Sequence, residues 1–137
     1  MSQSKRQYEF LYPLSKTPFA DVYRCNERHQ GRVVRDVVIK ILRENWSDNK
    51  ESVLLLRREI SLLQSLHHPS IPKVYEVTAI RGRIAIVMEW MDGLDLKSLV
   101  QGMRKMKQRI PLKVTLALVA DIASTLDVIY NQSPSPG

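Results

Sequence analysis

The sequence predicts an α+β protein in which three strands, a helix, two more strands and two further helices follow one another. Three observations predict it. Residues 8–42 and 73–90 contain short runs rich in β-branched and aromatic side chains. Between and after these runs, apolar residues recur at helical spacing. Arg81-Gly82 separates two β-prone runs by two residues, the length of a tight hairpin turn.

Taken in order, "YEFLYPL" and "FADVYRC" are strands on either side of a turn at residues 15–18. "RVVRDVVIKIL", residues 32–42, is β-branched and mostly apolar, as a central strand requires. Residues 48–66 switch to helical period, with Leu56, Ile60, Leu63 and Leu66 on one face and Ser47 and Asp48 as caps. "HHPSIP", residues 67–72, ends that helix, because a proline disfavours helix in the residue before it. "KVYEVTAI" and "RIAIVMEW" form the hairpin around Arg81-Gly82. Residues 94–103 read as a short helix and residues 112–130 as a long one, with Pro111 near its first turn and Leu116, Val119, Ala123 and Leu126 along one side. The tail "NQSPSPG" is turn-rich.

The 137 residues, 44% apolar and 26% charged, suit one modest soluble domain. No apolar run approaches bilayer length and the N-terminus lacks the apolar stretch of a secretory signal, so a cytoplasmic protein without membrane attachment is expected. A single cysteine, Cys25, excludes an internal disulfide and a cysteine metal cluster, and reads as a small residue on a strand. The net charge of +7 suits nucleic acid, anionic lipid or phosphorylated ligands. The densest basic run, "RKMKQR", has no interleaved aromatic residues on which bases stack, so it reads as a solvated linker and no nucleic-acid partner is expected. His67 and His68 read as a helix end, since no acidic or cysteine partner is spaced to complete a metal site.

Two charged residues stand in apolar surroundings. Lys40 lies among Val37, Val38, Ile39, Ile41 and Leu42, and Glu59 shares the broad inward face of Ile60 and Leu63. An unpaired buried charge is costly, so a helix packed on the sheet is expected to bring the two together, as a structural ion pair or as part of a ligand site.

"DVVIKIL" resembles the V-A-I-K strand of protein kinases, and "LRREISLLQSLHHPSIPKVYEV" resembles the kinase helix that donates the partner glutamate, with the turn and strand after it. "IAIVMEWMDGLDLKSLV" resembles the fifth strand, the hinge and the start of the next helix. The resemblance runs from about Tyr8 to Tyr130 and includes the separation of Lys40 from Glu59. It implies a kinase-like N-lobe, with a five-stranded antiparallel sheet and one packed helix, over residues 1–91. Residues 92–137 would then be the start of a C-lobe, two helices and a loose tail.

The resemblance also implies roles. Lys40 would hold the α- and β-phosphates of ATP and Glu59 would orient Lys40. Met88 would be the gatekeeper beside the adenine, with the backbone of Glu89 and Met91 bonding the adenine edge. Val22 and Val38 would cover the ring, Leu96 would support its floor and Asp95 would lie near the ribose, unless Asp95 is simply a helix N-terminal acid. Leu63 and Val74 would belong to the packed column behind the site.

Where the family's first turn has G-x-G-x-x-G-x-V, this chain has Ser15, Thr17 and Ala20 before Val22. Glycine serves there because backbone N–H groups must approach phosphate oxygens without a Cβ in the way. The replacements are small enough to keep a hairpin, but Pro18 removes a donor near the tip. The turn is expected to cover a nucleotide loosely, with the Ser15 and Thr17 hydroxyls replacing part of the lost hydrogen bonding, or else to be a plain hairpin. Val38 adds bulk where alanine is usual.

No H-R-D or D-F-G string occurs. The residues that supply the family's catalytic base and bind its magnesium are therefore not in this chain, and a complete kinase domain is roughly twice as long. The expectation is an ATP-binding portion of a serine/threonine kinase, catalytically incomplete as given and using ATP with magnesium in complete form. The alternative is a non-catalytic kinase-like module that binds a protein partner. The apolar side of the helix at residues 112–130 would be left exposed in this chain, free to associate with another surface.

Overall fold

The computed structural model describes residues 6–44 and 49–132, without the side chains of Ser52, Glu59 and Gln132. The expected caps Ser47 and Asp48, the tail at residues 133–137 and the Glu59 carboxylate therefore lie outside the described residues. The elements are β1 (Gln7–Lys16), β2 (Ala20–His29), β3 (Arg32–Leu42), α1 (Lys50–Ser65), β4 (Val74–Ile80), β5 (Arg83–Glu89), α2 (Leu96–Lys105) and α3 (Leu112–Gln132). They fall into two compact units, residues 1–67 with 72–90, and residues 68–71 with 91–137.

The first unit is a five-stranded sheet in the order β1-β2-β3-β5-β4, with every neighbouring pair antiparallel, and it includes α1. Two hairpins end in two-residue turns whose residues both take positive φ: Gln30 at 50° with Gly31 at 79°, and Arg81 at 52° with Gly82 at 77°. Such turns match the twist of the flanking strands and set their register. The second turn falls where Arg81-Gly82 predicts it. The first extends β2 four residues beyond Cys25, through a polar stretch that has no apolar alternation to mark it.

Side chains alternate across a strand, so the sheet has two interiors. On one face Cys25, Val37, Ile39, Ile41, Ala85 and Val87 form a dry cluster flanked by Tyr8, Tyr23, Tyr75 and Ile80. On the other, Ala20, Leu42 and Ile86 pack against Leu56 and Ile60 of α1, with Val74, Ile84 and Met88 at the margin. Full burial contributes about 1.5–3 kcal/mol for a side chain such as Ile39 or Val87.

A polar network closes one end of the first cluster. Buried Glu27 accepts from Arg35 Nε at 2.5 Å and lies 3.6 Å from Arg6. The Arg35 guanidinium stacks 3.8 Å from the centroid of the Tyr75 ring. Arg6 reaches Glu76 at 3.0 Å, and Tyr8 donates to the other oxygen of Glu76 at 2.5 Å. A buried carboxylate persists when partners of this kind surround it. Burial, together with the hydrogen bond to Glu76, pushes the Tyr8 phenol above its ordinary range.

In the second unit, α2 starts two residues later than the apolar spacing suggests, because Asp95 caps it. The Pro111 carbonyl accepts from Val114 and Thr115 in the first turn of α3. Along α3, Leu112, Leu116, Val119, Ile122, Leu126 and Tyr130 are exposed, as the sequence anticipates for this chain.

Two predictions follow from the core. Ile39→Ala lowers the unfolding free energy by about 2–5 kcal/mol, whereas Val34→Ala, at a 56% exposed position of the same strand, changes it by about 0.5 kcal/mol or less; urea denaturation measures both. Burial pushes the Cys25 thiol from 9.0 up to about 12. The folded state thus favours the protonated thiol, and its contribution to stability, complete below pH 9, is lost as pH rises toward 12. At pH 8 iodoacetamide leaves Cys25 unmodified in the folded protein and alkylates it in urea, as mass spectrometry will read.

Candidate functional site

The register of the sheet brings four of the sequence-predicted residues to one face. Val22 pairs with Lys40 and Lys40 with Ile86, while Arg24 pairs with Val38 and Val38 with Met88. Directly opposed residues on neighbouring strands point the same way. Val22, Val38, Lys40 and Met88 therefore stand together, on the face where Leu42 and Ile86 meet Leu56 and Ile60 of α1. Lys40 is half-buried and forms no ion pair among the described residues. Glu59 belongs to α1, the helix packed on this face, though its carboxylate is outside the described residues. A half-buried ammonium beside apolar side chains is suited to hold an anionic ligand group.

The turn between β1 and β2 is closed by Thr17. Its amide donates to the Ala20 carbonyl at 2.9 Å and its hydroxyl donates to the same oxygen at 3.1 Å. The hydroxyl also accepts from the amides of Phe19 at 3.3 Å and Ala20 at 3.0 Å. The Phe19 carbonyl in turn accepts from the Arg43 amide at 3.0 Å. Ser15 lies in β1 opposite Val22, and Ala20 is fully buried at the start of β2. The short residues expected to keep the hairpin do so, and Thr17 supplies the bonds that hold it.

Arg24 and Trp90 extend this face and were not singled out from the sequence. Arg24 donates to the Tyr12 hydroxyl at 2.9 Å and to Asp36 at 3.2 Å. Its guanidinium lies 4.5 Å from the centroid of the Trp90 ring and 5.8 Å from that of Tyr12. Its Nε is buried and has no partner among the described residues. Arg24 thus joins β1, β3 and the residue following β5. The available signal was parity, since Arg24 is two residues beyond Val22 on the same strand. At the end of β5 the Glu89 amide donates to the Lys73 carbonyl at 2.8 Å, so this N–H is committed to the sheet, and Glu89 Oε2 accepts from the Lys73 amide at 3.1 Å.

In the second unit Met91 and Leu96 are about half exposed. Asp95 is the N-cap of α2: one carboxylate oxygen accepts from the Ser98 amide at 2.8 Å and the other from its hydroxyl at 2.6 Å. The Ser98 hydroxyl and amide hold the Asp95 carboxyl below its ordinary range. Among the described residues no group of three His, Cys, Asp or Glu side chains is placed to hold a metal ion. No helix among the described residues is long and apolar enough to cross a membrane.

The five-stranded antiparallel sheet with its packed helix, carrying a lysine on the helix side of the central strand, is the N-lobe architecture of a protein kinase. Residues 8–133 match the family of protein tyrosine and serine/threonine kinases, and the chain belongs to that family. It is 33% identical over 105 residues to human NUAK family SNF1-like kinase 1, covering 77% of this chain and 15% of that protein. It is 30% identical over 128 residues to the probable serine/threonine-protein kinase nek2 of Dictyostelium discoideum, covering 92% of this chain and 30% of that one. The PknI kinase domain of Mycobacterium tuberculosis shares the fold, with a TM-score of 0.71 at 23% identity, over 92% of this chain and 48% of that structure. The chain thus spans less than a third of these two curated relatives and about half of that solved kinase domain.

The Arg24 stack is open to a direct check. In a Trp46→Phe background, Arg24→Ala shifts Trp90 emission to the red and increases its quenching by acrylamide, and Arg24→Lys restores part of the change. Identical emission in all three proteins would exclude the stack in solution.

Proposed function

We propose that this chain is the ATP-holding part of a protein serine/threonine kinase, which in complete form transfers the γ-phosphoryl group of ATP to protein hydroxyls. The observation that carries this reading is the common face of Val22, Val38, Lys40 and Met88. In it Lys40 engages the α- and β-phosphates, Glu59 orients Lys40 from α1, and Val22, Val38 and Met88 enclose the adenine. The backbone of Glu89 and Met91 bonds the adenine edge, Leu96 supports its floor and Asp95 serves the ribose, in keeping with the family match. The naming of nek2 as a serine/threonine-protein kinase supports the choice of substrate hydroxyl.

One observation favours a second reading, a non-catalytic kinase-like module that engages a protein partner. The tip of the turn that corresponds to the family's phosphate loop bonds to itself through Thr17. A functioning phosphate loop needs outward-facing amides at that place.

Titration of a fluorescent ATP analogue distinguishes the two readings. The first expects measurable binding that Lys40→Ala weakens about tenfold or more, the value of one charge-assisted hydrogen bond. Equal binding by both proteins, or none by wild type with its fold intact, rejects it in favour of the second.

A further inference from the structure

Each amide hydrogen at the tip of the β1–β2 turn has an internal partner. The Thr17 amide is bonded to Ala20, Pro18 has no amide hydrogen, and the amides of Phe19 and Ala20 both point to the Thr17 hydroxyl. That hydroxyl has one proton and two lone pairs. The proton goes to the Ala20 carbonyl and the lone pairs take the two amides, so the side chain is saturated by its own turn. Ala20 is buried, and the Phe19 carbonyl is tied to the Arg43 amide, so both sides of the tip are anchored in the fold. Residues 17–20 therefore present a ligand phosphate with no unengaged amide, and turning one outward first requires breaking an internal bond.

We infer that Thr17 is a specificity-determining residue: by closing the turn on itself it makes the candidate face select nucleotides by their adenosine part, with Lys40 as the only phosphate contact of the strand face. This rests on the nucleotide reading above and adds to it a ligand class, adenine nucleotides held through adenosine and the α- and β-phosphates at Lys40 with little regard to the γ-phosphate. ATP and ADP then bind wild type within about threefold of each other. Thr17→Val keeps the shape and β-branching of threonine but removes the hydroxyl to which the Phe19 and Ala20 amides donate. Thr17→Ser keeps the hydroxyl.

The test has two arms on the full 137-residue chain. In the first, the affinities of adenosine, ADP and ATP are measured by calorimetry for wild type, Thr17→Val and Thr17→Ser. Thr17→Val is expected to tighten ATP by about threefold to tenfold while adenosine stays within twofold, and Thr17→Ser to match wild type. In the second, amide hydrogen exchange is followed by NMR without ligand. The Phe19 and Ala20 amides are expected to be protected in wild type and Thr17→Ser and to exchange faster in Thr17→Val. Unchanged exchange in Thr17→Val overturns the closed turn. Faster exchange with no selective gain for ATP overturns the specificity role but leaves the nucleotide reading standing, because binding persists and still depends on Lys40. No binding of any nucleotide to any of the three proteins removes the nucleotide reading, and the inference with it, while the exchange arm still reports on the turn.

Discussion

Strand β3 meets two demands at once, and the alternation of its side chains is the constraint on which the rest depends. Val37, Ile39 and Ile41 fill the dry cluster on one side of the sheet, while Val38, Lys40 and Leu42 face α1 and the candidate ligand surface on the other. A slip of one residue exchanges the two sets. It would drive the Lys40 ammonium into the place of Ile39, which has no exposed surface, and move Val37, Ile39 and Ile41 to the opposite face. Both consequences are severe, so the register is strongly specified. The two-residue turns at Gln30-Gly31 and Arg81-Gly82 hold it from outside the core.

The candidate site owes its character to what lies beside that strand. The same pairing that puts Val22 over Lys40 puts Arg24 over Val38, where a cation stacked on Trp90 borders the apolar surface. Two positive side chains thus share the face, but in different ways. Arg24 is engaged by Tyr12, Asp36 and two rings, whereas Lys40 has no ion-pair partner among the described residues. Their availability, more than their charge, separates a structural residue from one that can meet a ligand. Asp95 stands between them: each of its oxygens accepts one bond from Ser98 and keeps a second lone pair.

Much of this was legible in the sequence, for identifiable reasons. The β-branched run at residues 32–42 and the Arg81-Gly82 turn are local signals, and both appear where they were expected. Leu56, Ile60 and Leu66 are buried as their spacing predicts, while Leu63 is only partly so. The far end of β2 was not legible, because Glu27 is buried there by Arg35 and Arg6, which come from elsewhere in the chain. Helix α2 begins later than its apolar spacing suggests because the Asp95 side chain bonds to Ser98. At the turn, the sequence reveals that hydroxyl residues stand where glycines are usual. Which atoms those hydroxyls bond is decided by the backbone path, which composition does not encode.

The order of strands gives the sheet a history as well as a shape. Strands β1, β2 and β3 form one ribbon of neighbours in sequence, and β4 with β5 forms another. They meet along a single seam, where Val37 pairs with Glu89 and Lys40 with Ile86 across the whole of α1 and β4. Closing so long a loop costs more entropy than closing either hairpin, and the contacts that compensate form only after the ends have met. Val22, Val38 and Lys40 belong to the first ribbon and Met88 to the second. Neither ribbon alone contains the surface proposed to receive adenine. It comes into being at the seam, so the most distant pairing in the sheet is also the one that creates its candidate function.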